Sequence, residues 1–84
     1  MNTSKRFVHI IRSSADPSRY YTGLTPDVPA RIASHNAGRR HHTANAIPWA
    51  SVVVIEFSDE SRAVAFERYL KSGSGAALAK RRLR

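Results

Sequence analysis

The stretch RYYTGLTPDVPARIASHNAG, residues 19–38, decides the fold. It opens with aromatic and β-branched residues at strand spacing, RYYTGL at 19–24, and changes period at Thr25-Pro26-Asp27. Those three residues read as a helix start. Thr25 is the expected cap, Pro26 suits the first helical position, and Asp27 favours the positive end of the helix dipole. Val28 and Ile32 then recur four residues apart, the interval of one helical face, and the helix is expected to reach about His35. Asn36-Ala37-Gly38 ends it, because Asn36 or Gly38 can take the left-handed cap conformation.

Upstream, RFVHIIR at residues 6–12 is a strand with Phe7, His9 and Ile11 on one face and Val8 and Ile10 on the other. The short turn SSADPS at 13–18, marked by Asp-Pro, makes it an antiparallel hairpin with the strand at 19–24. Downstream, RRHHTANAIPW at 39–49 has no period and reads as a loop with a solvated, mobile basic start. ASVVVIEF at 50–57 is the strongest strand, and its run Val52-Val53-Val54-Ile55 predicts cover on both faces. Ser58 is the expected cap of a second helix that runs to about Ser72. Gly73-Ser74-Gly75 breaks it, and residues 76–83 form a short basic last helix. The order is β-β-α-β-α-α. The expected fold class is α/β of the α+β kind: a small, mostly antiparallel three-stranded sheet flanked by helices. At 84 residues, one domain spanning 1–84 is expected, with a modest core and marginal stability.

Fourteen Lys and Arg stand against six Asp and Glu, a formal net charge of +8. The bases are spread along the chain, which favours attraction to phosphate polymers. Charge alone does not separate a nucleic-acid binder from an equally basic ribosomal or membrane-surface protein. The chain has no cysteine, which excludes disulfides, a thiolate zinc site and a thiol nucleophile. No serine sits in a nucleophile elbow and no glycine-rich phosphate loop occurs. No apolar run approaches the roughly 20 residues of a membrane span. The N-terminus lacks a small-residue cleavage site, so it reads as a tail followed by a strand, and the protein as cytoplasmic with no membrane partner.

Several residues fit poorly with a purely structural domain. Ala63, Phe66 and Leu70 make the apolar stripe of the second helix, and Glu67 falls on the same side, away from Glu60, Arg68 and Lys71. A carboxylate there needs a partner: an arginine such as Arg31 in a salt bridge, or a metal ion. Arg31 and His35 are four apart on the first helix and share a face beside Val28 and Ile32. Neither offers the other a negative charge, so the pair suits an anion such as phosphate, or else consists of two unrelated solvated side chains. Tyr20 and Tyr21 point to opposite faces of their strand. Gly23 shares the Tyr21 face, either to leave room beside that ring or merely to bend the chain before Thr25. His41-His42 lacks a partner at zinc spacing.

Taken in order, these pieces resemble the GIY-YIG nuclease superfamily, in its small stand-alone single-domain branch. The resemblance rests on Tyr21-Thr22-Gly23, on Arg31-Ile32-Ala33-Ser34-His35 followed by Asn36-Ala37-Gly38, on Pro48-Trp49, on Phe66-Glu67-Arg68-Tyr69-Leu70-Lys71, and on Gly73-Ser74-Gly75 with Ala79-Lys80-Arg81-Arg82. It covers almost the whole chain. It implies a metal-dependent endonuclease that hydrolyses phosphodiesters in structured or damaged DNA. The alternative is a catalytically weak or inactive nucleic-acid-binding module of the same fold. Glu67 is then the ligand of a single Mg²⁺ or Mn²⁺, Tyr21 orients or deprotonates the attacking water, Arg31 holds the phosphate, and His35 is its hydrogen-bond or proton-transfer partner. Arg39, Arg40, His42 and Thr43 are expected against nucleic acid, with DNA favoured over RNA and a protein partner supplying specificity. The chain departs from the family at the first motif, where Phe7-Val8-His9 puts His9 at the tyrosine position. As a base, His9 is expected to titrate near ~6.5.

Overall fold

The hairpin forms as its turn chemistry requires. In a computed structural model, which describes residues 5–84, Ser18 donates from its backbone N–H and its hydroxyl to the Asp16 carboxylate, and Arg19 N–H closes the turn on the Asp16 carbonyl at 2.9 Å. The tail expected at residues 1–4 lies outside the described residues. The turn joins β1 (Arg6–Ser13) to β2 (Tyr20–Thr25), antiparallel, with His9 opposite Gly23 and Ile11 opposite Tyr21. A third strand, β3 (Trp49–Phe57), pairs antiparallel with the other side of β1, giving the order β2-β1-β3. The register slips between Ile10 and Ile11, which face Val53 and Ser51, so Val52 is left unpaired as a bulge.

This order corrects the expectation for β3. It is an edge strand, and Val52 and Val54 are 39% and 46% exposed. The strand covered on both faces is β1, where Val8, His9, Ile10 and Ile11 are all buried. Hydropathy pointed to the wrong strand because the centre of the sheet carries a histidine and β3 carries the valine run.

The helices begin one or two residues away from their expected caps. α1 (Val28–Asn36) is capped by Asp27, whose carboxylate accepts from Ala30 N–H at 3.1 Å. Thr25 instead ends β2, and its hydroxyl braces the Asp27 backbone. α2 (Glu60–Leu70) is capped by Asp59 rather than Ser58. α3 (Gly73–Arg82) starts earlier than expected, capped by the Ser72 hydroxyl. Gly73-Ser74-Gly75 is therefore its first turn and not a break. Gly75 is buried against the end of α2, where a Cβ would collide with the Tyr69 carbonyl.

The two faces of the sheet hold separate cores. Val8 and Ile10 pack with Ala63, Leu70 and Ala79 of α2 and α3, joined by Tyr20, Leu24 and Phe66. Ile11 packs on the other face with Ala46 and Trp49, joined by Tyr21, Ile32 and Ile47. The alternation of β2 thus sends Tyr20 to the α2/α3 layer and Tyr21 to the α1 layer. The loop after α1 is exposed at its basic start, residues 39–42, and pinned further on. The Asn36 side chain pairs with both backbone groups of Trp49, the Ser13 hydroxyl donates to Ala46 O at 2.6 Å, and Ala44–Ala46 forms a short 3₁₀ turn. Among the described residues, no helix is long and apolar enough to cross a membrane.

Candidate active site

The α1 face of the sheet gathers four of the side chains singled out in the sequence. His9, from the central strand, stands over Gly23 on β2, so close that a Cβ at residue 23 would lie 2.8 Å from His9 Nε2 and 3.2 Å from the Tyr21 ring. Gly23 is therefore the space His9 occupies, not a bend before the helix. His35, from the last turn of α1, meets Tyr21 edge-on with ring centroids 5.1 Å apart, and its ring centroid is 6.3 Å from that of His9. Arg31, one turn earlier on α1, is half-buried beside them.

Both imidazoles are completely buried, so the picture of His35 as a solvated side chain is overturned. His35 Nδ1 lies 2.7 Å from the buried Thr43 hydroxyl, and that hydroxyl can donate onward to Arg40 O at 3.4 Å. A Thr43 hydroxyl that donates to a carbonyl must accept from Nδ1–H, which leaves the lone pair of His35 on Nε2. Nε2 has no partner among the described residues, and neither do both ring nitrogens of His9. Buried nitrogens with nothing to bond are uncommon in a folded interior. Here they surround Tyr21.

The electrostatics favour neutral imidazoles in an anion-attracting field. His9 is pushed down to about 4, chiefly by burial and then by the charges of Arg31 and His35. This corrects the expectation of a titration near neutrality. His35 is lowered by burial, then by Arg31 and Arg40. Burial and Arg40 also lower Arg31, against the opposing pull of Tyr21. Two guanidiniums thus act on the same buried corner.

Glu67 stands on the other layer and is linked to this site through Lys71. Its carboxylate is only 16% exposed and pairs with Lys71 Nζ at 2.6 Å, one turn along α2. The expected alternative partner, Arg31, is not the one it takes. The same Nζ lies 5.8 Å from the centroid of the Tyr21 ring, at the β2 edge. Lys71 is therefore a site residue that sequence spacing assigned to the opposite side. Its i,i+4 interval from Glu67 was the available signal. For a divalent cation the donor set offers one carboxylate, and no group of three His, Asp or Glu side chains gathers among the described residues. A single carboxylate suits Mg²⁺ or Mn²⁺, because a hard ion of this kind keeps several waters and takes substrate oxygens as its remaining ligands.

The other expected contacts divide. Arg40 is exposed, and its charge is among those that lower Arg31 and His35, so it acts on the site from the solvent side. Arg39 is exposed, as is His42, whose carbonyl accepts from Arg19. Thr43 is buried and faces His35, so it is placed to orient that ring and not to touch a phosphate.

The sequence model of the GIY-YIG catalytic domain matches residues 5–82. The chain belongs to the GIY-YIG family. It is 36% identical over 72 residues to a UPF0213 protein of Staphylococcus haemolyticus, covering 84% of this chain and 85% of that protein. It is 35% identical over 69 residues to a UPF0213 protein of Lacticaseibacillus paracasei, covering 81% and 76%. It is also 36% identical over 67 residues to the structure-specific endonuclease subunit SLX1 of Scheffersomyces stipitis. That match covers 71% of this chain but only 20% of the SLX1 protein, so the chain spans about a fifth of that relative's length. Within the GIY-YIG frame, His9 stands at the sequence position where the first motif is expected to end in tyrosine, and the structure pairs it with Gly23 of the second motif.

Proposed function

We propose that this GIY-YIG domain is an endonuclease that hydrolyses a phosphodiester bond of structured or damaged DNA with the help of one Mg²⁺ or Mn²⁺ ion. The observation that carries the reading is the orphaned His35 Nε2 beside Tyr21, within the field of Arg31 and Arg40. The guanidiniums of that corner suit a phosphate, and the lone pair on His35 Nε2 suits a proton released beside it.

In this mechanism Arg31 binds the scissile phosphate, with Arg40 adding to its field, and balances the charge that grows on the phosphoryl oxygens in the transition state. The Tyr21 hydroxyl aligns the attacking water. The water oxygen bonds to phosphorus as the bond to the leaving sugar oxygen breaks; the Tyr21 oxygen takes the water's proton as its own phenolic proton moves to His35 Nε2, a transfer that requires the two rings to shift from their edge-on spacing of 5.1 Å into hydrogen-bond reach. Thr43 keeps that nitrogen free by holding Nδ1. Glu67 would hold the divalent ion, which supplies charge neutralisation at the phosphate and leaving oxygen. His9, already neutral, lines the site and restricts water around Tyr21. The Scheffersomyces relative is named a subunit of a structure-specific endonuclease, which supports a protein partner that supplies specificity here.

His9 also favours a second reading: the same fold acting as a nucleic-acid-binding module without cleavage. A screen of branched, flap, nicked and single-stranded DNA and RNA with Mg²⁺ and with Mn²⁺ separates the two. Ion-dependent nicking of a DNA substrate supports the endonuclease. Binding without cleavage of any substrate, with cleavage appearing in His9→Tyr, supports the binding module.

A further inference from the structure

We infer that the groove between the β2 edge and α3 is a second nucleic-acid backbone site, on the reverse side of the edge strand from Tyr21. The inference rests on the proposed DNA-directed function and extends it to where the flanking strand runs. The groove measures about 320 Å³ and is lined by Ser18, Arg19, Tyr20, Thr22, Ala79 and Arg84 among others, with no carboxylate in its wall. The Arg84 guanidinium lies over the Tyr20 ring at 4.4 Å, and Arg12 approaches the same ring at 5.8 Å. Stacking on an aromatic face fixes a guanidinium in position and leaves its N–H edge for an anion.

None of these cations is held in an ion pair among the described residues, although Arg12 Nε donates to Pro17 O and Arg19 donates to Asn45 Oδ1 and His42 O. The ion pairs among the described residues engage Lys5, Arg6 and Lys71, none of which lines the groove. Lys80, Arg81 and Arg82 extend the positive charge along the last turn of α3. The partner that fits is a phosphate polymer and not a lipid surface, because the exposed large apolar residues, Val52, Val54 and Tyr69, lie outside the groove. β2 is an edge strand, with no further strand of the sheet beyond it among the described residues. A nucleic-acid strand whose phosphate sits at Arg31 can therefore cross that edge and lay its next phosphates on Arg84 and Arg12.

The test is a fluorescence-anisotropy titration of a tailed DNA duplex at several salt concentrations, without divalent ion, for the wild type and the Arg12→Gln/Arg84→Gln protein. Each lost phosphate contact lowers the log–log salt slope by about 0.9 in duplex DNA and about 0.7 in single strands, so the double variant should lose between one and two units of slope. An unchanged slope overturns the inference, as does an unchanged DNA slope with lost binding to phosphatidylserine vesicles, which would assign the groove to membranes. The slope is read without cleavage, so an inactive protein with a flattened slope would remove the nuclease reading and keep the groove. A cleaving protein with an unchanged slope would do the reverse.

Discussion

Replacing His9 with leucine should make the protein more resistant to acid. His9 is fully buried and has a folded-state pKa of about 4 against a reference of 6.5. The unfolded chain therefore binds a proton that the folded chain refuses between those values, and stability falls as pH falls through that window. The difference of about 2.5 units at 1.36 kcal/mol each amounts to roughly 3 kcal/mol, lost between pH 6.5 and 4. That is a large share of the stability of a domain this size. His35 is shifted in the same direction, but it is present in both proteins and largely cancels in the comparison. Leucine has a similar volume and no polar atoms, so His9→Leu should be at least as stable as the wild type at pH 7.5, where the imidazole leaves two nitrogens unpaired. Urea unfolding at pH 7.5, 6, 5 and 4 should show the two proteins diverging by roughly 3 kcal/mol toward acid. Parallel loss of stability in both would refute the claim that His9 is buried in its neutral form.

Three further outcomes follow from the packing. Gly23→Ala should cost about 1–3 kcal/mol and lower any cleavage, because its Cβ would displace His9 and Tyr21; wild-type stability and activity together would remove the close-approach argument. Thr43→Val should cost about 1–3 kcal/mol by stranding His35 Nδ1, and the ¹⁵N shifts of the ring, expected to report one neutral tautomer in the wild type, should report a mixture; Thr43→Ser should restore both, and an unaltered tautomer in the valine variant would show that Thr43 does not set it. Gly75→Ala should lose roughly 3 kcal/mol in chemical denaturation through collision with the Tyr69 carbonyl, whereas Gly73→Ala, with open space at its Cβ, should be neutral; equal effects at both positions would contradict the packing of α3 on α2.

Much of the fold was legible because its signals are local. Alternation put His9 with Phe7 and Ile11 on one face of the first strand and Tyr21 with Gly23 on one face of the second, and the register of β1 with β2 brings those two faces together. Strand order was not legible. It depends on which strand finds two neighbours, and the winner, β1, buries His9 and Ser13 while the apolar run of β3 stays at an edge. The caps were misplaced because Thr25 and Asp27, like Ser58 and Asp59, all carry capping side chains, and only the entry angle of the chain selects between them. Within the site, Arg31 and His35 were visible as a helical pair. Thr43 was not visible as their brace, since that contact is made by a loop folding back across eight residues and pinned from Asn36 and Ser13.

The central claim is that a corner built from Tyr21, Arg31 and His35 performs phosphodiester hydrolysis with an ion held by Glu67. The most direct measurement is the nicking of a branched DNA substrate by wild-type protein and by Glu67→Gln, each with and without Mn²⁺ or Mg²⁺, alongside DNA affinity and thermal unfolding. The account predicts ion-dependent nicking by the wild type and none by Glu67→Gln. The variant should keep its fold and most of its DNA affinity, because binding rests on Lys and Arg. Undiminished nicking by Glu67→Gln would contradict the account, as would a variant that merely unfolds while its ion dependence stays intact, which would leave Glu67 as no more than the salt-bridge partner of Lys71.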